Sequence, residues 1–405
     1  MSGPLEGIRL IDLTTMISGP LATMVLADQG ADVIKIENPV TGDLNRFVST
    51  ARNGMPASFI NNNRNKRSLV VNLKDPRGKE TLIELVKKAD VLVQNFRPGV
   101  VDRLGIGYAD VRLANPKIIY VSISGFGTTG PYASKPVYDP LIQAVSGLAS
   151  IQGGADSARP RLVRTIVPDK LTGHVCAQAV TAALFSRERT GNGQHIELNM
   201  LDTLVSFLWS SDMGGRTFIG DEVQVDKAQS YIDLIYKTKD GYISVAVNTD
   251  KEWKGLCAAL KKPEWLKDER FSTASRRHKN INERLQLTQN ELEEDTSNYW
   301  LSRLEAADVG CAPVLTRGEM IEHPQIQANQ IIVELDHPIA GKIRQARPAA
   351  KFSGTPTEIR RGAPAYGEHS REILQELGYP NHRIDTMAAD GILAVNDTQK
   401  KSTYD

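Results

Sequence analysis

Short runs of β-branched residues alternate with segments of helical periodicity through the first half of the chain, and this alternation constrains the fold more than any other feature. The predicted helices are Leu21–Gln29 and Asp75–Lys88, and the predicted strands are Ile8–Leu13, Asp32–Glu37, Ser68–Leu73, Val91–Phe96 and Ile118–Ser124. Strands that alternate with helices form βαβ units, whose parallel sheet is covered on both faces. The sequence therefore predicts an α/β fold with a doubly wound parallel sheet.

A change in composition predicts where this first domain is interrupted. A helix over Leu171–Arg189, a strand over His195–Leu198 and a helix over Leu201–Leu208 precede a polar, Gly-rich stretch at residues 214–230 that is typical of a linker. The hairpin that follows, Ile232–Thr238 and Tyr242–Val247, turns through Lys239, Asp240 and Gly241. Charged helices over Asn280–Leu292 and Asn298–Ala307 complete a separate, smaller α+β unit.

The last part of the chain is predicted to return to the first domain. The chain leaves the small unit near residue 330, and the helix Ser370–Leu377 is expected to pack back on the large domain. The predicted organisation is a large domain made of residues 1–222 and 331–405, with a small domain at residues 223–330.

Composition indicates an enzyme of the cytoplasm. The 405 residues include 49 Lys and Arg against 48 Asp and Glu, and this balance argues against a nucleic-acid binder, which needs a basic surface. The 3 cysteines lack the Cys-x-x-Cys spacing, which favours a reducing compartment. No secretory signal and no apolar stretch of about 20 residues is visible, so we expect no membrane partner.

A glycine motif after the strand Ile118–Ser124 raises the hypothesis of a nicotinamide-binding protein. Gly125, Gly127 and Gly130 satisfy the G-x-G-x-x-G pattern. In a dinucleotide site these glycines open a helix whose amides hold the pyrophosphate. Here Pro131 and Pro136 follow, and two prolines so close together do not start that helix. The motif is more typical of a flexible loop.

The first βα turn and a group of basic residues form an alternative ligand site. The turn from Thr14 to Pro20 precedes a helix, and helix N-terminal amides attract phosphate or carboxylate, although an ordinary capped helix has the same pattern. Arginine and lysine side chains near strand ends could bind a ligand with several phosphates, or could lie on the surface: Arg64, Lys66, Arg67, Lys74, Arg97 and Arg103.

Asp169 has two interpretations from its position alone. It follows Pro168 directly before the helix Leu171–Arg189, which is the place of an N-cap carboxylate. Amides and the helix dipole would also keep this carboxylate ionised at neutral pH, and an ionised carboxylate is a nucleophile toward an activated acyl group. No His or Cys spacing predicts a metal site, and no G-x-S-x-G motif predicts a serine hydrolase.

Several segments, in order along nearly the whole chain, resemble the family III CoA-transferases of the CaiB/BaiF type. They are PLEGIRLIDLT, SGPLATMVLADQGADVIKIENPVTGD, NRNKRSLVVNLKDPRGKETL, ADVLVQNFRPGVVDRLGIGY, YVSISGFGTTGPYASKPVYDPLIQAVSG, TGNGQHIELNMLDT, KTKDGYISVAV and GEHSREILQELGY. The resemblance implies a Rossmann-like large domain built from both ends of the chain, a small domain between linkers, and a homodimer of two interlocked chains.

The resemblance also implies a reaction and its nucleophile. Asp169, in the segment PDKLTGH, matches the family's catalytic carboxylate. It would attack the thioester of a donor acyl-CoA and pass CoA to a free carboxylic acid through aspartyl anhydride and aspartyl-CoA intermediates. Acyl-CoA is then a substrate, and neither a prosthetic group nor a metal is expected. For CoA binding, the resemblance implies Met16, Ile17, Ser18, Lys74, Asn95, Phe96 and Arg103.

Departures from the family pattern bear on the substrate. The family's racemases have a His-Asp pair where this chain has Tyr138 and Asp139, so the chain lacks one of the two bases that abstract the proton. An acyl-CoA racemase or epimerase is therefore the second hypothesis. Oxalate-specific members differ at Val48 and Ser58 and carry a glycine-rich lid that this chain lacks, which disfavours oxalate. Tyr138 and Asp139 are expected at the substrate, and a second carboxylate would need Arg64, Arg161 or Arg164.

Overall fold

The computed structural model describes residues 3–154, 159–220 and 234–396, and the chain divides into two compact units. The large unit consists of Met1–Ala228 and Gln330–Asp405, and the small unit of Gln229–Asn329. The predicted boundary between residues 222 and 223 lies outside the described residues, as do the first two residues of the predicted hairpin. The large unit is therefore discontinuous along the sequence, with the small unit between its two segments.

The large unit holds most of the regular structure. Its first segment has the strands β1 (Arg9–Asp12), β2 (Asp32–Glu37), β3 (Ala51–Arg52), β4 (Met55–Pro56), β5 (Lys66–Val71), β6 (Val91–Gln94), β7 (Ile119–Ser124) and β8 (Gln194–Asn199). Its helices are α1 (Ser18–Asp28), α2 (Ala57–Asn63), α3 (Pro76–Val86), α4 (Val100–Leu104), α5 (Tyr108–Ala114), α6 (Asp139–Val145), α7 (Leu148–Gly153), α8 (Val167–Thr190) and α9 (Met200–Trp209), with 3-10 helices at Leu44–Arg46 and Gly214–Thr217.

The small unit and the returning segment complete the chain. The small unit contains β9 (Ile235–Lys237), β10 (Tyr242–Ala246), α10 (Asp250–Ala259), a 3-10 helix (Pro263–Leu266), α11 (Ala274–Lys279), α12 (Ile281–Leu292), α13 (Ser297–Ala306), β11 (Gly310–Pro313), α14 (Arg317–Glu322) and α15 (Pro324–Ala328). The segment that returns to the large unit contains β12 (Ile332–His337), β13 (Gly341–Ala346), α16 (Ser370–Glu376), α17 (Asn381–Ala389) and β14 (Leu393–Ala394).

The large sheet has seven strands in the order β14-β5-β2-β1-β6-β7-β8. Every pairing is parallel except that of β14, which lies antiparallel to β5 at the edge. The chain builds outward from β1 through β2 to β5, then crosses to β6 on the other side of β1. The strand order therefore reverses between β1 and β6, and ligands of open α/β sheets bind at the carboxyl ends of strands at such a reversal.

Alternation along each strand supplies one hydrophobic core to each face of the sheet. Ile11, Ile34 and Leu92 pack toward a core completed by α3, α5, α16 and α17. Their neighbours Leu10 and Val33, with the β6 valines, pack toward α1 and α8. Strands buried on both faces read as continuous apolar runs, which is why they were recognisable in the sequence. The predicted doubly wound sheet is confirmed.

Two helices begin earlier than the sequence predicts. α1 begins at Ser18 rather than Leu21, and α8 begins at Val167 rather than Leu171. Both predictions began the helix after a proline, Pro20 or Pro168. A proline in the first turn of a helix is tolerated, because the N–H that it lacks would have no partner within the helix. The correction places Ser18 and Asp169 inside the first turns of α1 and α8.

The small unit forms a three-stranded antiparallel sheet covered by helices. Its strands lie in the order β11-β10-β9. Trp253 and Trp265 stack in its core with a centroid distance of 6.1 Å, next to Phe271. Thr249 and Glu252 form a capping box that starts α10, since each side chain accepts a hydrogen bond from the other residue's backbone N–H.

Candidate active site

The carboxylate of Asp169 meets the start of α1. Asp169 lies in the first turn of α8, and the hydroxyl and backbone N–H of Ser18 act on its carboxylate and favour its ionised form. The two helices approach closely because residue 173 is glycine: a Cβ there would lie 2.8 Å from the carbonyl oxygen of Ser18. The first N–H groups of a helix have no partner within it, so α1 offers Ser18 as a donor to an anion.

The structure overturns the interpretation of Asp169 as an N-cap. The N-cap residue of α8 is Ile166, and its own side chain makes no capping hydrogen bond. Asp169 lies three residues further on, so its carboxylate is directed to Ser18 of a different helix rather than to the amides of its own. The sequence prediction was wrong because it began the helix after Pro168.

Asp139 supports Asp169 from the start of α6. One carboxylate oxygen of this buried residue accepts a hydrogen bond of 3.3 Å from the backbone N–H of Asp169, and the other accepts one of 2.6 Å from Gln143. Burial and the negative charge of Asp139 raise the pKa of Asp169 to about 6, against the two hydrogen bonds from Ser18. Asp169 is therefore still ionised at neutral pH, but as a stronger base than an exposed aspartate.

A cavity at the reversal of the strand order is lined by three of the seven residues that the resemblance implies for CoA. It has a volume of about 540 Å³ and lies at the carboxyl ends of β1, β2, β5 and β6. Lys74, Phe96 and Arg103 line it, together with Thr15. Lys74 and Arg103 are exposed cations, so this cavity combines an aromatic wall with two positive charges.

Asn95 and Met16 shape the loop beside this cavity. The Asn95 side chain accepts a hydrogen bond of 3.0 Å from the N–H of Thr15 and donates one of 2.9 Å to its carbonyl oxygen, which joins the ends of β1 and β6. Met16 has a φ of +70°, a left-handed conformation that is uncommon for a residue with a side chain. Asp43 holds it there by accepting the Met16 N–H at 3.0 Å.

Four buried charges lie beneath this loop, and sequence reasoning did not identify them as a unit. Lys66 lies 2.9 Å from Asp12, and Lys35 lies 2.8 Å from Asp43, with all four side chains fully buried. Lys35 also donates to the carbonyl oxygen of Thr14 at 2.8 Å, and Lys66 donates to that of Pro20 at 2.9 Å. The two lysines thus bind both ends of the loop from Thr14 to Pro20. Charged residues inside strands that are otherwise apolar were the available signal.

Three members of the predicted basic group serve internal ion pairs. Lys66 pairs with Asp12, and Arg67 with Asp32, Glu372 and Glu376. Arg64 donates to both carboxylate oxygens of Asp28, with a shortest distance of 2.7 Å. Arg64 borders a different cavity, of about 630 Å³, next to α1 and the segment after β13. Its guanidinium is thus engaged with Asp28, while the exposed Arg161 and Arg164 lie on the segment that enters α8.

The other predicted residues divide between the site and its surroundings. Ile17 is the N-cap residue of α1, next to Ser18. Tyr138 is exposed directly before Asp139. The loop of Gly125, Gly127 and Gly130 is followed by turns, and the next helix begins only at Asp139. This loop therefore lacks the helix of a dinucleotide site and instead borders a second, polar cavity at the ends of β6, β7 and β8.

Within residues 3–154, 159–220 and 234–396, no group of three or more His, Cys, Asp or Glu side chains is placed to hold a metal ion. Over the same residues, no helix has the length and apolar character needed to cross a bilayer.

Comparison with known proteins identifies the class. The model of CoA-transferase family III matches residues 5–370. The chain is 34% identical over 403 residues to succinyl-CoA:glutarate CoA-transferase of Homo sapiens, covering 98% of this chain and 91% of that protein. It is 32% identical to formyl-CoA:oxalate CoA-transferase of Shigella sonnei, covering 96% and 99%. A CAIB/BAIF family protein from Brucella suis superposes with a TM-score of 0.80 at 30% identity, over 93% of this chain and 100% of that one.

The sheet, the carboxylate at its edge and these comparisons define an enzyme of the CoA-transferase class. The chain belongs to CoA-transferase family III.

The 540 Å³ cavity generates a test of CoA binding. Replacing Lys74 or Arg103 with alanine is expected to weaken binding of free CoA about tenfold each, since each change removes a charge-assisted contact to phosphate. Isothermal titration calorimetry measures this affinity. Lys88→Ala is the matched control, because Lys88 donates to the carbonyl oxygen of Glu376 and does not border the cavity. Equal affinities in all three variants would contradict CoA binding at this cavity.

Proposed function

We propose that the protein transfers CoA from an acyl-CoA thioester to a free carboxylic acid through covalent intermediates on Asp169. A carboxylate oxygen of Asp169 attacks the thioester carbonyl, the C–S bond breaks, and a mixed anhydride and CoA thiolate form. The thiolate attacks the aspartyl carbonyl carbon and releases the donor acid, which leaves an aspartyl-CoA thioester. An acceptor carboxylate then attacks the aspartyl carbonyl carbon and displaces the thiolate, which gives a mixed anhydride with the acceptor. The thiolate attacks the acceptor's carbonyl carbon, and this step forms the acceptor acyl-CoA and frees Asp169.

The observation that carries this proposal is the position of Asp169 relative to the 540 Å³ cavity. Ser18 binds the Asp169 carboxylate, and Thr15 borders the cavity. Three residues of chain span at most about 11 Å, so a ligand held at the cavity by its nucleotide end needs only a short arm to reach Asp169. A raised pKa also supports the proposal, because a more basic carboxylate is a better nucleophile at neutral pH.

The N–H and hydroxyl of Ser18 have two uses in this scheme. In the free enzyme they stabilise the ionised Asp169. Once the carboxylate is acylated, its charge is lost, and the same donors face the oxygen on which negative charge develops when the aspartyl carbonyl is attacked. The repulsion between Asp139 and Asp169 also ends on acylation, which favours the covalent state.

We propose dicarboxylic acids as the acceptors to examine first. The relative from Homo sapiens acts, by its name, on succinyl-CoA and glutarate. Arg161 and Arg164 are exposed before α8 and supply positive charge for a second carboxylate, whereas Arg64 is engaged by Asp28. The relative from Shigella sonnei is named for oxalate, and Val48 and Ser58 remain the sequence reasons to rank oxalate lower here.

Trapping the intermediate tests the reaction and the acceptor together. After incubation with succinyl-CoA, a peptide containing Asp169 is expected to gain the mass of CoA less one water, as measured by mass spectrometry. Glutarate added next should discharge the adduct and produce glutaryl-CoA. Asp169→Asn should form no adduct and lose activity by at least about 1,000-fold, because the nucleophile is absent.

The same experiment includes a control variant and a test of the alternative reaction, racemisation. Asp110→Asn changes an exposed carboxylate in the first turn of α5 and should behave like the unchanged protein. An active Asp169→Asn variant without adduct would contradict the proposal. Exchange of deuterium from solvent into the carbon next to the thioester, with no acceptor acid present, would instead indicate the racemase of the second hypothesis.

The raised pKa of Asp169 generates a prediction about pH. Activity should fall as the pH drops through about 6, because protonated Asp169 is not a nucleophile. Asp139→Asn removes the nearby negative charge, so the pKa of Asp169 should fall toward its ordinary value and the acid limb of the profile should move to lower pH. Initial rates between about pH 5 and pH 8 measure this shift. An acid limb that does not move, or moves to higher pH, would contradict the role assigned to Asp139.

We further propose an interlocked homodimer in the cytoplasm. Leu141 and Val145 of α6 and Phe207 and Trp209 of α9 are exposed, and the two helices pack together. Monomers rarely expose contiguous apolar patches of this kind. The cysteines Cys176, Cys257 and Cys311 are free, as a reducing compartment requires.

Subunit exchange distinguishes threaded chains from an ordinary dimer. Light scattering should give twice the mass of one chain. When tagged and untagged dimers are mixed, we expect no mixed dimers under native conditions, because a threaded ring cannot separate without unfolding, and mixed dimers only after denaturation and refolding. A monomer mass would contradict the dimer, and rapid native exchange would contradict the interlocking.

A further inference from the structure

A chain of side-chain hydrogen bonds crosses the three neighbouring strands β6, β7 and β8 of the large sheet. His195 of β8 lies 2.9 Å from the hydroxyl of Ser122 in β7 through its Nε2 atom. Gln94, the last residue of β6, donates from Nε2 to the same hydroxyl at 2.9 Å. The Oε1 atom of Gln94 accepts the backbone N–H of Phe96 at 2.8 Å. The chain thus runs from His195 to the backbone of Phe96.

The donor and acceptor of each hydrogen bond can be assigned by starting from the backbone N–H of Phe96. The N–H of Phe96 can only donate, so the oxygen of the Gln94 amide faces Phe96 and its NH₂ group faces Ser122. Ser122 accepts from Gln94, and among the described residues the one acceptor within hydrogen-bond distance of its hydroxyl hydrogen is the Nε2 atom of His195. We assign Nε2 as that acceptor, which places the hydrogen of a neutral ring on Nδ1. Burial lowers the pKa of His195 below its ordinary value, against the charge of Glu197, in agreement with a neutral ring.

Two tyrosines hold the His195 ring in this orientation. Tyr108 stacks on it with a centroid distance of 4.8 Å, and Tyr120 meets it edge-on at 5.4 Å. The Tyr120 hydroxyl is in turn anchored to the carbonyl oxygen of Ile106 at 3.0 Å. The ring is thus fixed before any ligand binds, so the acceptor that it offers to Ser122 is fixed as well.

Phe96 connects this chain to the candidate CoA site. It borders both the 540 Å³ cavity and the polar cavity of about 640 Å³ at the ends of β6, β7 and β8, so its ring is part of the wall between them. Gln94, Ser122 and His195 border the polar cavity only. A change at residue 195 can therefore reach the 540 Å³ cavity through the chain that ends at Phe96.

We propose that Gln94, Ser122 and His195 are positioning residues that fix Phe96 for CoA, and that CoA affinity depends on a hydrogen-bond acceptor at residue 195. This inference rests on the proposed function in one respect, that CoA binds at the 540 Å³ cavity. It assigns a role to these polar side chains of β6, β7 and β8 without requiring that any of them contact CoA.

The test compares two substitutions of the same histidine. His195→Phe keeps an aromatic ring against Tyr108 and removes the acceptor, and His195→Gln restores an acceptor oxygen. Binding of free CoA, measured by calorimetry near pH 8, is expected to weaken about tenfold in His195→Phe and in Ser122→Ala. His195→Gln should remain within about threefold of the unchanged protein. In the transfer reaction the loss should be found in KM, with kcat within about threefold, because Asp169 and Ser18 are held by other contacts.

Controls separate this role from general destabilisation and from the proposed function itself. Thr203→Ala removes a buried hydroxyl that donates to the carbonyl oxygen of Asn199 at 2.8 Å, and it should leave CoA affinity unchanged. Thermal melting shows whether each variant is folded, and Ser122→Ala carries the test if His195→Phe is not. Unchanged binding in Ser122→Ala, or equal losses in His195→Gln and His195→Phe, would overturn the proposal. An unchanged protein that does not bind CoA would instead contradict the proposed function.

Discussion

The two buried ion pairs beneath the first βα turn are the interaction on which the site depends. Asp12, Lys35, Asp43 and Lys66 are fully removed from water, which costs several kcal/mol per ion before their mutual attraction is counted. Burial would raise the pKa of Asp12, but Lys66 and Lys35 hold it well below its ordinary value. Burial lowers the pKa of Lys66 to about 8, so it too is charged at neutral pH. Apolar residues of similar volume could fill this space, but they would offer no donors to the loop.

The buried ion pairs give the loop from Thr14 to Pro20 a defined shape. Lys35 and Lys66 donate to carbonyl oxygens near its two ends, and Asp43 holds Met16 in its left-handed conformation. Thr15 consequently borders the cavity while Ser18 is directed at Asp169. Preorganised donors are worth most where water is excluded and no rearrangement is needed during the reaction. The buried ion pairs therefore hold the loop, and the loop in turn places Ser18 against the carboxylate of Asp169.

Sequence reasoning succeeded where the pattern is local and was wrong where partners are distant. The strand Asp32–Glu37 has its predicted limits, because its β-branched residues Val33, Ile34 and Ile36 favour a strand and turns flank it in the sequence. An N-cap stayed one of two interpretations of Asp169, because nothing in the nearby sequence indicates that Ser18, about 150 positions earlier, lies against it. Lys66 and Arg67 had the appearance of phosphate ligands for the same reason: their acidic partners come from β1, β2 and α16. The edge strand β14 is two residues long and has no periodicity to detect.

The order of strands and helices, the α/β class and the family of the chain are properties of the sequence alone, since periodicity and residue identity are local along the chain. Only the tertiary structure decided which charged side chains are paired inside the protein and which are left exposed for a ligand. Arg64 and Lys74 are both basic residues in the sequence. In the structure, Arg64 is paired with Asp28, whereas Lys74 is exposed at the cavity. The pKa of Asp169 was likewise decided by folding, because burial and Asp139 act through space rather than along the chain.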